Sequence, residues 1–204
     1  MPLDRQTLVA GAVRVVESAF RKLGIVVPPA DNLPDCLAKY RGREIWTSTW
    51  GELQQGLQAT GIDEPLFVKP LKRNKSFPAF TLYHASDVDL APEIDPSDQV
   101  LVSQVVEFVS EWRCFVLRGE VVDLCRYDGR VFDYPDPKIV QQGVADYSAI
   151  APEGYGIDFG VLDDGRTVLV EANEGCSLNP YGLEAMTYSE ILEVRWLQLA
   201  SIAS

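Results

Sequence analysis

The stretch that decides the fold is "GIDFGVLDDGRTVLVEAN", Gly156–Asn173. Two apolar runs flank an Asp-Gly pair, which is a strong hairpin signal. With Asp164-Gly165 as a two-residue loop, Asp163 faces Arg166 and, counting outward, Asp158 faces Glu171. Residues two apart in a strand share a face, so Asn173 joins both carboxylates on one side of the sheet. Like charges directly opposed across strands cost some tenths to about 1 kcal/mol unless something offsets them. A divalent cation offsets them, because Asp, Glu and Asn oxygens are hard ligands of the kind Mg²⁺ takes alongside substrate phosphates. The alternative is a solvated sheet end where the two charges repel weakly through water.

A second hairpin lies upstream in "EWRCFVLRGEVVDLCRY", Glu111–Tyr127. With Gly119-Glu120 as its loop, Arg113 faces Arg126, Cys114 faces Cys125, and Glu111 shares the arginines' face. Two facing arginines invite a shared anion, and phosphate suits their planar forks. The alternative pairs each with an acidic neighbour such as Asp123 or Asp128. A third element, "FVKPLKRNKSF", places Lys69, Lys72, Arg73 and Lys75 within seven residues of an acidic chain. A charge run is usually a solvated face, but Lys69 closes a short apolar strand that fixes its base. A metal site, an anion clamp and a lysine cluster are the parts a nucleoside triphosphate needs. Neither GxxxxGK[ST] nor GxGxxG occurs, so no P-loop or kinase glycine loop supplies the cradle.

The rest of the chain frames these elements. A formal charge of −12 over 204 residues argues against binding nucleic acid or an anionic membrane, both of which need an excess of Lys and Arg. Asp4, Arg14 and Glu17 interrupt any signal-like start, and no window approaches the roughly 20 apolar residues of a span, so a soluble, cytoplasmic protein is expected. Cys36, Cys114, Cys125 and Cys176 lack CxxC spacing and read as buried thiols, not as a zinc set or disulfide framework. The single histidine, His84, has no nucleophile motif beside it.

Apolar spacing predicts a helix over 7–23 stopping at Gly24, a short strand after it, a strand near 43–47 and a helix from about 48. Residues 1–65 thus form a small N-terminal α/β lobe. Residues 66–204 run through strands and turns to a helical end, giving an α+β plan with a mainly antiparallel sheet.

On "LFVKP", "SQVVEFVSEWR", Asp158 and the Glu-Ala-Asn of 171–173, the chain resembles the ATP-grasp ligases. The resemblance runs from about Leu66 to Asn173 and implies an ATP-grasp fold with a shortened N-terminal lobe. It implies Lys69 at the nucleotide phosphates, with Lys75 covering part of the missing glycine-rich lid. Gln104, Val105 and Val106 fall near adenine, Glu111 at ribose with Glu107 as a second candidate, and Arg113 matches the family's arginine, while the hairpin register adds Arg126 as a second phosphate contact. Asp158, Glu171 and Asn173 hold Mg²⁺. The implied activity is an ATP-dependent, ADP-releasing ligase that forms a carbon-nitrogen bond between a small-molecule or peptide carboxylate and an amine through an acylphosphate. Arg113 and Lys75 are its catalytic candidates. The rivals are a phosphotransferase acting on a hydroxyl and a non-catalytic nucleotide-binding protein. The loop "EGCSLNPYGLEAM" offers Ser177, Asn179 and Tyr181 as substrate contacts, or Tyr181 as a packing residue. Arg195 pairs with Glu190 or Glu193, or reaches a carboxylate.

Overall fold

A computed structural model describes residues 3–29, 31–71, 77–91 and 93–202. The chain folds into two compact units, Met1–Tyr40 with Phe108–Ser204, and Arg41–Glu107. The boundary expected at 65/66 falls inside the second unit.

In that second unit, β1 (Ile45–Thr49), β4 (Gln99–Gln104), β2 (Leu66–Pro70) and β3 (Phe80–Leu82) form an antiparallel sheet in the order β1-β4-β2-β3. Helix α2 (Trp50–Thr60) starts two residues after the expected 48, at a capped end. Thr49 accepts from the Glu52 amide, and Glu52 reaches back to the Thr49 amide, so two orphan donors of the first turn are satisfied. Trp50, Leu53 and Leu57 of α2 pack on Val68, Val100 and Val102. Strand alternation then turns Lys69 and its partner Leu101 to the other face.

The first unit is built on a second antiparallel sheet, ordered β6-β5-β7-β8, from β5 (Phe108–Leu117), β6 (Glu120–Gly129), β7 (Gly154–Leu162) and β8 (Thr167–Glu174). Helix α3 (Pro137–Tyr147) covers one face, with Val140, Val144 and Tyr147 against Tyr155, Ile157 and Phe159. It lies within a stretch expected to be strands and turns. Its start carries the local signal nonetheless, an Asp136 cap accepting from the Lys138 amide and Pro137 in the first turn.

Helix α1 spans Val13–Leu23, shorter than the expected 7–23. An Asp4–Thr7 turn and Gly11 at φ 143° break the helical path before it. Its stop is as read, with Gly24 left-handed at φ 64° and the Ile25 amide closing onto Phe20 O. The strand expected after Gly24 does not form. Instead α1 packs on α4 (Ala185–Ile202), where Phe20 stacks on Trp196 at 4.7 Å, so the two ends of the chain share one core. α4 reaches β7 at Gly154, where a Cβ would lie 2.4 Å from Ile191 O.

Both sheets are antiparallel throughout the described residues, as the α+β reading requires. No disulfide joins the four cysteines; Cys114 and Cys176 are buried as expected, whereas Cys125 is half-buried and Cys36 exposed. No described helix is long and apolar enough to cross a membrane.

Candidate functional site

The β7–β8 hairpin turns through three residues, Asp163, Asp164 and left-handed Gly165 (φ 83°), with Leu162 N–H donating to Arg166 O at 2.9 Å. That is one residue more than the two-residue loop expected. Val161 therefore pairs with Thr167 and Phe159 with Leu169. Past this point β8 carries one extra residue, Val170, so that Asp158 pairs with Glu171 after all and Gly156 with Asn173. The extra residue matters chemically. Leu169 is fully buried in the core under α3, and regular alternation would send Glu171 and Asn173 into the same core. A β-bulge re-aims them onto the opposite face.

β5 delivers Arg113 directly opposite Asp158 on that face, with Glu111 two residues along. The expected pairing of Arg113 with Arg126 does not occur. The turn is Arg118-Gly119, both at positive φ (50° and 84°) as a two-residue hairpin loop demands, one residue earlier than expected. Bulges at Val122 and Tyr127 then shift the register further, placing Arg113 opposite Cys125, Cys114 opposite Leu124 and Trp112 opposite Arg126. Arg126 Nη1 donates to Gly129 O at 2.6 Å, so the two-arginine clamp is withdrawn.

Arg113 binds a carboxylate instead. Its Nε donates to Asp158 Oδ1 at 2.8 Å and its Nη2 to Oδ2 at 2.7 Å, with Asp158 2% and Arg113 6% exposed. Asn173 Nδ2 donates to the same Oδ2 at 3.1 Å. Burial pushes the Asp158 carboxyl up to about 6, the Arg113 fork pulls against it, and the Glu171 charge adds to the rise. The arginine stem crosses Gly156, where a Cβ would sit 3.0 Å from Arg113 Cδ.

Aromatic rings close over the guanidinium. Tyr181, at φ 46°, lies with its ring centroid 5.0 Å from Arg113 Cζ, and Tyr127 at 6.0 Å. The two rings stack at 4.8 Å, and Tyr127 Oη donates to Glu111 Oε2 at 2.7 Å. Burial, the Asp158 charge and that hydrogen bond raise the Tyr127 phenol well above its ordinary value. Sequence reasoning misses Tyr127, because it is the bulged residue of β6 and alternation gives no sign of it. Tyr181 belongs to the loop that the sequence offers for substrate contacts. There Asn179 donates to its Oη at 3.3 Å, while Ser177 is tied to Gly11 O at 2.9 Å. Arg195 is buried and paired with Glu174 of β8, not with the expected Glu190 or Glu193; Glu190 takes Arg118.

In the other unit, Lys69 stands on β2 as expected, whereas Lys72, Arg73 and Lys75 lie outside the described residues. Gln104 ends β4 with Oε1 accepting from the Glu44 amide at 3.0 Å, and the Val105 amide donates to Pro65 O at 3.3 Å. Val105 and Glu107 are exposed and Val106 is half-buried.

Among the described residues no group of three or more His, Cys, Asp or Glu side chains gathers for a metal. The set on the β7–β8 face is two carboxylates and one amide, all hard oxygen donors. It fits a cation such as Mg²⁺ that completes its shell with phosphate and water better than it fits an all-protein cage.

No curated protein sequence matches the chain. Among solved structures, VanG D-Ala:D-Ser ligase from Enterococcus faecalis is similar at 18% identity, over 91% of this chain and 68% of that one, with a TM-score of 0.54. D-alanine–D-alanine ligase from Bacillus anthracis is similar at 14% identity, over 94% and 68%, with a TM-score of 0.53. The ATP-grasp ligase PsnB, complexed with a phosphomimetic variant of a minimal precursor, Mg and ADP, is matched at 13% identity over 77% of this chain, with a TM-score of 0.48. The chain spans about half of PsnB's length, 53%. A family model of the ATP-grasp domain, the second family of its clade, matches residues 40–191, and the chain belongs to that ATP-grasp family.

Proposed function

We propose that this chain is an ATP- and Mg²⁺-dependent carboxylate–amine ligase. The observation that carries the reading is the face on which Asp158 meets Glu171, with Asn173 beside them and Arg113 opposite. Two opposed carboxylates, an amide and a buried guanidinium suit a metal-bound polyphosphate better than any neutral ligand.

In this reading Asp158, Glu171 and Asn173 hold Mg²⁺, which when bound neutralises charge on the phosphates. Lys69 and Lys75 meet the phosphates, and Glu111, with Glu107 as second candidate, meets the ribose. The amides of Gln104 and Val105 already donate to Glu44 O and Pro65 O. Gln104, Val105 and Val106 border adenine with their remaining groups. A substrate carboxylate oxygen attacks the γ-phosphorus and ADP leaves. The amine nitrogen then attacks the acyl carbon of the acylphosphate, inorganic phosphate departs and the amine proton passes to solvent. Arg113 and Lys75 stabilise the charge that builds on the transferring phosphoryl group, where preorganised electrostatics are usually the largest catalytic contribution. Tyr181 and Asn179 border the acid substrate.

The test is ADP release with panels of small-molecule and peptide acids in the presence of hydroxylamine. A ligase yields a hydroxamate detectable by mass spectrometry. ADP release with phosphorylated hydroxyl product and no hydroxamate would overturn the ligase reading in favour of phosphotransfer. Glu171→Gln lowers Mg²⁺-dependent turnover more than about 100-fold, the scale of losing a key electrostatic group. Its circular dichroism stays unchanged, and full activity in this variant would remove the metal assignment.

A further inference from the structure

We infer that Arg113 occupies the cation-binding oxygens of Asp158 until a nucleotide phosphate draws it away, so that this one residue sets the order in which nucleotide and metal enter. The inference rests on the reading of Asp158, Glu171 and Asn173 as a divalent-cation site. Both Asp158 oxygens accept from Arg113, at 2.8 and 2.7 Å, and the carboxylate is 2% exposed. A carboxylate so deeply buried needs a counter-charge, and the two-pronged guanidinium is a resident one. A divalent cation needs the same oxygens and would place its charge beside the guanidinium, where low dielectric magnifies repulsion. The cation and Arg113 therefore compete.

The pairing is built into the fold. The Arg113 stem lies across Gly156, whose missing side chain makes room for it, and Tyr127 and Tyr181 present ring faces to the guanidinium at 6.0 and 5.0 Å. A phosphate offers the same fork a second anion with equally matched geometry. When it arrives, Arg113 exchanges carboxylate for phosphate and Asp158 becomes available to the metal. Arg113 is in this sense a positioning residue for the cation as well as a phosphate contact.

The experiment is titration of Mn²⁺ into the full chain without nucleotide, followed by electron paramagnetic resonance or calorimetry. Arg113→Met binds Mn²⁺ alone about tenfold more tightly than the wild type, within the usual range of coupling between sites. With saturating ADP that advantage disappears, because the wild-type arginine is then engaged elsewhere. Mn²⁺ affinity that is equal in both proteins without nucleotide overturns the inference. Should Arg113→Met fail to fold, Arg113→Lys keeps the charge and loses the fork, and binds Mn²⁺ alone about threefold more tightly than wild type on the same reasoning. Unchanged affinity in that variant is equally fatal. Glu171→Gln separates the two levels. Loss of Mn²⁺ binding in the presence of ADP supports the cation site, and retention there defeats the site itself whatever Arg113 does.

Discussion

Asp158→Asn probes the electrostatics of the site while preserving its volume. Burial raises the Asp158 carboxyl from an ordinary 3.8 to about 6, with the Arg113 fork opposing and the Glu171 charge adding. Between those two values the folded protein holds a proton that the unfolded chain releases. Its stability therefore falls as pH rises through about 6 and is regained as pH drops toward 3.8. The displacement corresponds to about 3 kcal/mol in full, of which about 2 kcal/mol is realised between pH 7.5 and pH 4.5. Urea denaturation of wild type and Asp158→Asn at both pH values, in chelator, measures it. Hydrogen-bonded surface carboxyls such as Asp87 and Asp164 are held below their ordinary values by backbone amides and act in the opposite sense. They are common to both proteins and cancel in the difference. Wild type gains about 2 kcal/mol on the variant when acidified. A flat difference refutes the reasoning, and a reversed one would mean that the Arg113 fork outweighs burial.

Other variants test separate parts of the argument. Gly175→Ala places a Cβ 1.8 Å from the Gly154 carbonyl oxygen, a backbone atom that cannot swing aside. It costs about 3 kcal/mol or more, seen as a lowered Tm or loss of soluble protein; a wild-type melt would contradict the β7–β8 packing. Thr49→Ala removes the α2 capping box and costs about 1 kcal/mol in urea, with no effect on nucleotide affinity. Lys69→Ala weakens ATP binding by about tenfold, as expected for one charge-assisted contact, and leaves the melt unchanged. Undiminished affinity by calorimetry would remove Lys69 from the phosphates.

The two hairpins show what alternation and turn chemistry can and cannot reveal. In the β7–β8 pair, the loop is one residue longer than Asp164-Gly165 alone suggests, and the bulge at Val170 offsets it, so the Asp158–Glu171 pairing inferred from the sequence holds although its turn does not. In the β5–β6 pair the turn lies one residue early and the bulges at Val122 and Tyr127 do not restore the expected pairing at Arg113. Turn residues are local and legible; a bulge is a tertiary accommodation with little local signature. The same contrast explains α3 and α2. Asp136-Pro137 and Thr49-x-x-Glu52 are equally visible caps, but α3 sits among strand-like runs that mask its spacing.

The bulge at Val170 is also the step that links fold to chemistry. Leu169 must enter the core beneath α3, while Glu171 and Asn173 must face Arg113 and Asp158. These three positions have the same parity, so no regular strand can satisfy both demands. One inserted residue resolves the conflict at the place where the apolar strand becomes the polar one. The bulge at Tyr127 of β6 acts similarly, bringing the Tyr127 hydroxyl to Glu111 and its ring over Arg113. Both irregularities thus lie beside the proposed site, where a change of face has a function, and the apolar side of the sheet is left to pack without a buried charge.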